Sequence, residues 1–269
     1  MNNEIKSMLN KEPNNRVKIA IYSLIVLAFT IWSSSTVEFK GLLKSGVDIT
    51  SSIVGGILTP DFDMIFNLTK QGVPYLLLET LSIAFLGTII GSILAIPFAF
   101  LSASNMTNKV IARIGSIIIA AIRTFPSFVY GLMFIRVTGP GAFAGVLTLS
   151  VVSIGMIAKL YIEAIEELDK GIIEALDAAG CTTFEKIRYG VIPQLFTIFI
   201  SIVIYRFEIN IRNASVLGLV GAGGIGAPLI FAMSSYKWHQ VGAILFGLIV
   251  LVLIVEQLSS KLRNKLARG

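Results

Sequence analysis

The chain has 269 residues, of which 55% are hydrophobic and 14% charged, and its formal net charge is +6. Its mean hydropathy is +0.82, and because soluble domains average about 25% charged residues, the composition excludes an ordinary soluble domain and indicates a membrane protein with several spans. The basic residues lie at the ends of apolar runs rather than in one patch, which excludes nucleic acid as the expected partner.

The N-terminal region predicts the first membrane span. Residues 1–18 include four basic residues, whereas Ile19 to Val37 carries no charge, and about 20 apolar residues suffice to cross a bilayer. A basic head before an apolar run also fits a cleaved signal peptide. The long polar lead and the many later spans favour an uncleaved anchor. Residues 38–74 are expected to form a polar external loop.

Three further apolar runs precede the middle of the chain. Pro97 is expected to kink the first of them, since proline removes a backbone donor, and Arg123 and Pro126 interrupt the second. A Gly-Pro-Gly turn at residues 139–141 separates the second from the third. The second, third and fourth spans are predicted at Thr80 to Asn108, Ile114 to Ile135 and Val137 to Ala158.

The longest charged interval follows, and residues 163–193 are named here the corner segment. Asp169 is expected to cap a short helix, and Gly180 suits the left-handed residue that ends it. Thr182 and Glu185 form a capping box for a second short helix. Two short helices with a sharp corner, outside the bilayer, fit either a surface that another protein grips or a plain solvated loop.

The rest of the chain holds two more spans. The fifth opens at Gln194 and continues through Arg212, and the last covers His239 to Val255. The proposed inner segments hold 14 lysines and arginines and the outer ones 7. Because basic residues favour the cytoplasmic side, this bias places both termini and the corner segment in the cytoplasm. Six spans fit that parity.

Four ionisable residues lie within the predicted spans: Arg123, Arg206, Glu208 and Arg212. Charges at bilayer depth cost roughly 2.5–3.5 kcal/mol each on insertion scales, so they usually face protein or water. Glu208 and Arg212 are four residues apart and can neutralise each other. Arg206 points elsewhere and needs another partner, for which Glu79 is a candidate. The arginines then either line a path for an anion or only pair helices with one another.

Two patterns suggest other classes of protein and are set aside. Gly221, Gly223 and Gly226, with Gly224 between them, fit a dinucleotide-binding G-x-G-x-x-G, but the acidic residue required about 20 positions later is missing. These glycines instead suit close helix contacts or a broken span. An intramembrane enzyme is disfavoured as well, because the single histidine, His239, and Cys181 have no acidic pair near them. The chain has no Gly-Lys-Ser/Thr, and so no P-loop.

The corner segment resembles the EAA loop of ABC importer permeases. The pattern is Glu174-Ala175-Leu176, then Gly180, then Gly190-Val191-Ile192-Pro193. The family usually has alanine at the position of Leu176, isoleucine at that of Gly190 and leucine at that of Ile192. The resemblance implies a coupling helix that docks into a groove on a cytoplasmic ATPase. It also implies apolar docking by Ile172, Ile173 and Leu176, with Glu174 and Gly180 setting the shape.

Four segments look like the phosphonate-type branch of these permeases: residues 139–150, 153–171, 188–194 and 205–226. The branch imports phosphonates, and in some members phosphate or phosphite, which an extracellular or periplasmic binding protein hands over. One position departs from it. Many members have glutamate directly after the Arg-Thr-Phe-Pro that ends at Pro126, where this chain has Ser127.

The resemblance therefore implies an all-α polytopic fold with six transmembrane helices and a cytoplasmic coupling-helix loop, of the type I importer permease kind. The expected partners are an ABC ATPase dimer that binds ATP and Mg²⁺, a substrate-binding protein, the lipid bilayer and a second copy of the chain. The chain itself is expected to bind no cofactor and to catalyse nothing.

The alternatives are a permease for another solute, such as methionine, and an ion-coupled transporter. The expected divisions are residues 1–73 (N-terminal segment), 74–260 (permease core) and 261–269 (basic tail).

Overall fold

The computed structural model describes residues 16–36 and 44–268, and all regular structure in these ranges is helical. The chain divides into two units, Met1–Thr50 and Ser51–Gly269. The first unit contains α1 (Arg16–Thr36) and the beginning of α2 (Lys44–Leu58). The apolar run Val17–Thr36 in α1 is long enough to cross a membrane, as predicted. The basic lead expected over residues 1–15 lies outside the described residues, as do residues 37–43.

The second unit is a bundle of long and short helices. Within the described ranges of the whole chain, five helices are long and apolar enough to cross a membrane, or up to six if the bent pair α5 and α6 counts as one span. This agrees with the predicted all-α fold of six spans. The elements are α3 (Phe62–Phe66), α4 (Val73–Ser102), α5 (Lys109–Thr124), α6 (Ser127–Thr138), α7 (Ala142–Glu166), α8 (Lys170–Ala178), α9 (Thr183–Glu185), a π-helical segment (Lys186–Val191), α10 (Ile192–Leu219), α11 (Gly226–Ser234) and α12 (Trp238–Arg268).

Two predictions about the region before α4 are wrong. The stretch expected to be a polar loop contains α2 and α3 in its described part, and Asp61 caps α3 by accepting from the backbone N–H of Met64 at 3.2 Å. In addition, α4 begins at Val73 rather than at Thr80. The prediction started the span after Glu79, whereas a charged residue in the second turn of a long apolar helix does not end the helix.

The span predicted across Arg123 and Pro126 is broken at that point. The axes of α5 and α6 meet at 84°, and Phe125 between them is extended, with ψ of 133°. A residue before proline avoids the helical conformation, so Pro126 ends α5 and starts a new direction. By contrast, α4 continues through Pro97.

The core forms where α4 and α7 pack against each other with small residues at the contact. A β-carbon on Gly87 would lie 2.5 Å from Leu149 Cβ, and one on Gly91 would lie 2.6 Å from Ser153 Cβ. Glycine at these positions is therefore required by the close approach of the two helices. Helix α10 packs against the same pair and contributes the buried side chains of Ile211 and Leu217.

The last helix is longer than the predicted span. It runs from Trp238 to Arg268 and so includes residues 261–268, the described part of the expected basic tail. Its start is tied to the turn between α2 and α3, where Thr59 O lies 2.7 Å from His239 Nδ1 and the N–H of Asp61 donates to the His239 carbonyl at 3.0 Å. His239 therefore has a fastening role at this end of the helix.

Candidate functional site

The corner segment turns at Gly180. Asp169 caps α8, because its Oδ1 accepts a hydrogen bond at 2.9 Å from the backbone N–H two residues on. At the far end Gly180 has a φ of +77°, and the N–H of Cys181 donates to the carbonyl of Leu176 at 3.0 Å. This left-handed helix ending is one that glycine permits at little cost. Both predicted caps are confirmed.

The second half of the corner segment begins with the predicted capping box. The N–H of Thr182 donates to Glu185 Oε2 at 2.7 Å, and the N–H of Glu185 donates to Thr182 Oγ1 at 3.4 Å. The predicted second short helix is α9, but it does not stand alone. Residues Thr183–Leu219 form one continuous helical stretch that is long and apolar enough to cross a membrane. The corner segment therefore has one free-standing helix, α8, set on the end of a spanning helix.

The apolar side of α8 faces inward. A β-carbon on Gly190 would lie 2.5 Å from Leu176 Cδ1 and 3.6 Å from Ile172 Cγ2. Ile173 packs against a buried cluster that includes Tyr161 of α7. The side chains of Ile172, Ile173 and Leu176 are all half-buried. The structure therefore uses the residues predicted to dock a partner to attach α8 to the membrane helices.

Other residues form the outward side of the corner segment. Glu174 and Ala175 are exposed, and so are two aromatic side chains, Phe184 at 68% and Tyr189 at 65%. The guanidinium carbon of Arg188 lies 5.6 Å from the centre of the Tyr189 ring. Sequence reasoning missed both aromatic residues. The signal that points to them is their presence within the most charged interval of the chain.

Polar contacts fasten the corner segment to itself and to a neighbouring helix end. Lys186 Nζ lies 2.6 Å from Asp177 Oδ1, which joins α8 to the π-helical segment. The backbone N–H of Ser104, just after α4, donates to Glu166 Oε1 at the end of α7 at 2.8 Å. These contacts join α8 to the helical stretch that leads into α10, and the end of α7 to the residues that follow α4. Pro193 lies in the first turn of α10.

Glu208 is an ionic junction between α10 and α12. Arg212 Nη2 lies 2.6 Å from Glu208 Oε1, which confirms the pair predicted from the spacing of four residues. Arg263 Nη2 lies 3.2 Å from Glu208 Oε2, and the guanidinium carbon of Arg263 is 5.6 Å from the centre of the Tyr205 ring. Sequence reasoning missed Arg263 because it placed that residue in a cytoplasmic tail. Glu208 is buried, whereas the Arg212 side chain is 52% exposed.

Arg206 is buried in a polar cluster between α4, α7 and α10. Its Nε donates to Ser153 Oγ at 3.2 Å and its Nη1 to Met156 Sδ at 3.1 Å. Asn210 Nδ2 donates to Ser153 Oγ and to Thr88 Oγ1, both at 2.8 Å. Arg206 is 3% exposed and Asn210 0%. Among the described residues, Arg206 Nη2 and Asn210 Oδ1 have no hydrogen-bond partner.

The contacts of Arg206 differ from those predicted, because neutral side chains rather than Glu79 surround its guanidinium. Arg123 is exposed, and its Cγ lies 2.9 Å from where a β-carbon on Gly155 would stand. Gly155 and the Arg206 partner Ser153 are two residues apart and so lie on nearly opposite sides of α7. The structure therefore does not bring Arg123 and Arg206 together on one wall. Ser127, where the family often has glutamate, begins α6 directly after the break.

The glycine-rich segment is a tight connection between α10 and α11. Gly221, Gly223 and Gly224 have positive φ values, and a β-carbon on Gly223 would lie 2.6 Å from Ala142 Cα. The buried Thr80 Oγ1 accepts from the backbone N–H of Ile225 at 2.9 Å. Since this segment follows a helix rather than a strand, the dinucleotide pattern is not realised. Gly226 begins α11 in contact with α10, where it has no room for a side chain.

The comparisons with known proteins agree on one family. The model described as binding-protein-dependent transport system inner membrane component matches residues 87–258. The phosphite transport system permease protein PtxC of Stutzerimonas stutzeri is 31% identical over 91% of this chain and 86% of its own length. The phosphate-import permease protein PhnE of Mycolicibacterium smegmatis is 32% identical over 87% of this chain and 44% of its own length.

A solved structure shares the fold. An inward-facing form of the MetNI methionine ABC transporter superposes with a TM-score of 0.62 at 22% identity, covering 71% of this chain and 94% of that one. The match to the family model begins in α4, ends in α12 and contains both the corner segment and the buried polar cluster.

Proposed function

Because the chain belongs to the family of inner membrane components of binding-protein-dependent transport systems, we propose that it carries a phosphorus oxyanion (phosphonate, phosphate or phosphite) across the cytoplasmic membrane. Members of this family are non-catalytic permease subunits of ABC importers, which work with a separate ATPase and a substrate-binding protein. ATP and Mg²⁺ bind to that ATPase. The observation that carries the substrate class is the similarity to a phosphite permease over most of both chains.

The substrate class is tested by transport. The chain is reconstituted in proteoliposomes with its ATPase and its binding protein, and ATP-dependent uptake of phosphate, phosphite, methylphosphonate and methionine is measured. At least one phosphorus oxyanion is expected to enter and to stimulate ATP hydrolysis. Uptake of methionine alone would instead support the methionine alternative. Uptake that needs an ion gradient and no ATPase would support an ion-coupled transporter.

The corner segment is proposed to couple the permease to the ATPase. Its exposed side, with Glu174 and Ala175 on α8 and Phe184 and Tyr189 beyond the turn, is free to contact a partner. The half-buried apolar residues of α8 attach that helix to the bundle and so transmit its movement. Gly180 permits the turn, and Pro193 opens the spanning helix behind it.

The orientation proposed in the membrane places both termini and the corner segment in the cytoplasm. Its support is the excess of lysine and arginine in the segments assigned to that side, which is 13 against 5 when Arg206, Arg212 and Arg263, placed by the structure at the buried cluster and the Glu208 junction, are left out. A homodimer is proposed because one chain supplies one corner segment, whereas an ATPase dimer offers two docking grooves. The permease core is proposed to cover residues 74–260, within which the family match falls.

The intramembrane arginines are proposed to provide positive charge along the path of the anion. On α10, Arg212 has an exposed side chain, on the same side of the helix as the exposed Tyr205 and Val216. Glu208 holds Arg212 and Arg263 and leaves one net positive charge at this junction. Arg206 adds a buried guanidinium without a carboxylate partner among the described residues. Arg123 approaches α7 from another side and would contribute at a different point of the path.

A further inference from the structure

A groove runs between the end of α4 and the first three turns of α5. It is an open groove with a volume of about 690 Å³ and is named here the α5 groove. Ser102, Ser104 and Glu166 line one side of it, and Lys109, Arg113, Ile114 and Ile117 are among the α5 residues that line the other. Of these lining residues, only Glu166 belongs to the corner segment. None of them is one of the intramembrane charges Arg123, Arg206, Glu208 and Arg212.

The groove carries two cations, and no residue that the structure describes neutralises either of them in an ion pair. Lys109 is the first residue of α5 and Arg113 lies one turn further on. Cations at a helix N-terminus oppose the helix dipole, like charges four residues apart repel each other, and the first turn of α5 has no acidic residue. Among the described residues no ion pair involves either cation. The Glu166 carboxylate is engaged instead by the backbone N–H of Ser104.

An unpartnered hydroxyl lies at the same place. Ser102 lines the groove and is 2% exposed, and its Oγ has no hydrogen-bond partner among the described residues. It faces α5 at Gly115, where a side chain would collide with it. A buried hydroxyl without a partner costs about 1–3 kcal/mol, so a ligand atom that accepts its proton would be favoured.

The remaining wall of the groove is apolar. Val110, Ile114 and Ile117 follow one another along α5 at intervals of three and four residues and are 54–65% exposed. A cationic end beside an exposed stripe of aliphatic side chains suits a molecule with an anionic head and a hydrocarbon chain. A free oxyanion would use only the cationic end.

We propose that the α5 groove binds an anionic phospholipid, with its phosphate at Lys109, Arg113 and the Ser102 hydroxyl and an acyl chain along Ile114 and Ile117. Clustered lysines and arginines at the membrane surface attract anionic lipids, at about 1 kcal/mol for each basic residue. The bound lipid would fix the start of α5 against the end of α4. Since the proposed orientation puts Lys109 and Arg113 at the cytoplasmic side, the lipid would belong to the cytoplasmic leaflet; only this placement, and not the binding, rests on that orientation.

The test measures lipid binding by the purified full-length chain. Phosphatidylglycerol and phosphatidylcholine with the same acyl chains are added to the delipidated protein, and bound lipid is counted by native mass spectrometry. The wild type is expected to prefer phosphatidylglycerol. The double variant Lys109→Gln/Arg113→Gln is expected to bind it about tenfold or more weakly, with phosphatidylcholine unaffected. Retained phosphatidylcholine binding also shows that the variant is folded.

A matched control separates the groove from general surface charge. Lys261→Gln/Lys265→Gln removes two exposed lysines, also four residues apart, from α12, and phosphatidylglycerol binding should persist. An equal loss in this control would overturn the proposal. Ser102→Ala should weaken phosphatidylglycerol binding without lowering the melting temperature in phosphatidylcholine, and unchanged binding in that variant would remove the hydroxyl from the site.

Two further experiments test whether free phosphate or a second copy of the chain, rather than a lipid, occupies the groove. Competition by inorganic phosphate or glycerol 1-phosphate at millimolar concentration, with no preference for the intact lipid, would identify the site as one for free phosphate. Disulfide formation between two copies of Ile114→Cys in a Cys181→Ser background would show that a second copy covers the groove. Either result overturns the lipid assignment and leaves the proposed transport function untouched, since the uptake assay tests that separately.

Discussion

Leu176 fills the space that a side chain on Gly190 would need. A β-carbon on residue 190 would lie 2.5 Å from Leu176 Cδ1, whereas carbon atoms pack best at about 3.5–4.0 Å. The permease pattern that the corner segment resembles usually has alanine at the position of Leu176 and isoleucine at that of Gly190. The two departures of this chain are therefore one exchange of a large and a small side chain across a single contact.

This exchange predicts a measurable coupling between the two positions. Gly190→Ala is expected to destabilise the protein by about 1 kcal/mol, the low end of the cost of overpacking, because the flexible end of Leu176 can turn partly away. Leu176→Ala alone should also destabilise, because it leaves a cavity. The double variant should recover most of the loss, with a coupling of about 1 kcal/mol or more. Thermal unfolding of the four proteins checks this, and purely additive effects would contradict the contact.

The corner segment shows what local sequence determines and what it does not. Asp169, Gly180 and Thr182 act on backbone groups within a few residues of themselves, so their spacing was sufficient to predict the caps. The inward direction of Leu176 depends on a residue 14 positions away in another helix. The same limit applies to residues 172, 173 and 176, because the sequence shows their apolar face but not that neighbouring helices cover part of it.

The ionic junction at Glu208 also combines a local contact, which the sequence predicts, with a distant one, which it does not. Its pairing with Arg212 follows from a spacing of four residues within one helix, whereas Arg263 reaches it from 55 positions away. The helix ends were also beyond the sequence, because a hydropathy pattern locates an apolar run but α12 continues into its basic end. Pro126 was located correctly as an interruption, but the residue pattern around it does not give the 84° angle between the axes of α5 and α6.

Glu208→Gln is predicted to destabilise the bundle. The change removes the carboxylate that Arg212 and Arg263 share, and breaking a buried ion pair costs about 3–5 kcal/mol. The partial exposure of both arginines reduces this, so we expect about 2 kcal/mol. Thermal unfolding at two salt concentrations provides the measurement. Glu163→Gln, which breaks the exposed pair of Lys159 and Glu163, is the control and should change stability by less than about 1 kcal/mol. Equal effects of the two changes would remove the special role of Glu208.

The exposed aromatic residues of the corner segment are predicted to contribute to ATPase binding. Phe184→Ala and Tyr189→Ala should each weaken binding of the ATPase by about tenfold, because aromatic side chains supply much of the energy of protein interfaces. Binding of the purified ATPase to the permease in nanodiscs, with the melting temperature of the permease as a folding check, measures this. Phe66→Ala removes an aromatic side chain of 76% exposure from α3 and should have no effect. Wild-type affinity in both corner variants would place the docking surface elsewhere.

Changes to the shape and charge of α8 are predicted to uncouple transport. Glu174→Lys reverses a charge on the exposed side, and Gly180→Val disfavours the left-handed turn, because a β-branched residue rarely adopts positive φ. Both variants should remain in the membrane and lose substrate-stimulated ATP hydrolysis. Asn264→Lys, an added charge at the exposed end of α12, should leave that stimulation intact. Normal stimulation in both corner variants would refute a coupling role for α8.

A substitution of Arg206 can distinguish a role in transport from a role in packing. Its guanidinium is buried among neutral partners, and Nη2 has none within the part of the chain that the structure describes. Replacing a buried charge with an apolar side chain of similar volume is often neutral or stabilising, so Arg206→Met should keep expression and melting temperature. If the guanidinium meets the anion during transport, uptake of phosphate or phosphite should fall about tenfold or more, since a charge-assisted hydrogen bond contributes roughly 1.5–3 kcal/mol.

The comparison that decides between the two roles uses Arg136→Met, the same chemical change at an exposed arginine of α6, which should retain uptake. A fall in uptake at position 206 with unchanged melting temperature then assigns the guanidinium to the anion path, because lost packing alone would lower both. Unchanged uptake in Arg206→Met would return the residue to a structural role at the contact of α7 and α10. The substrate class would then rest on the uptake assay alone.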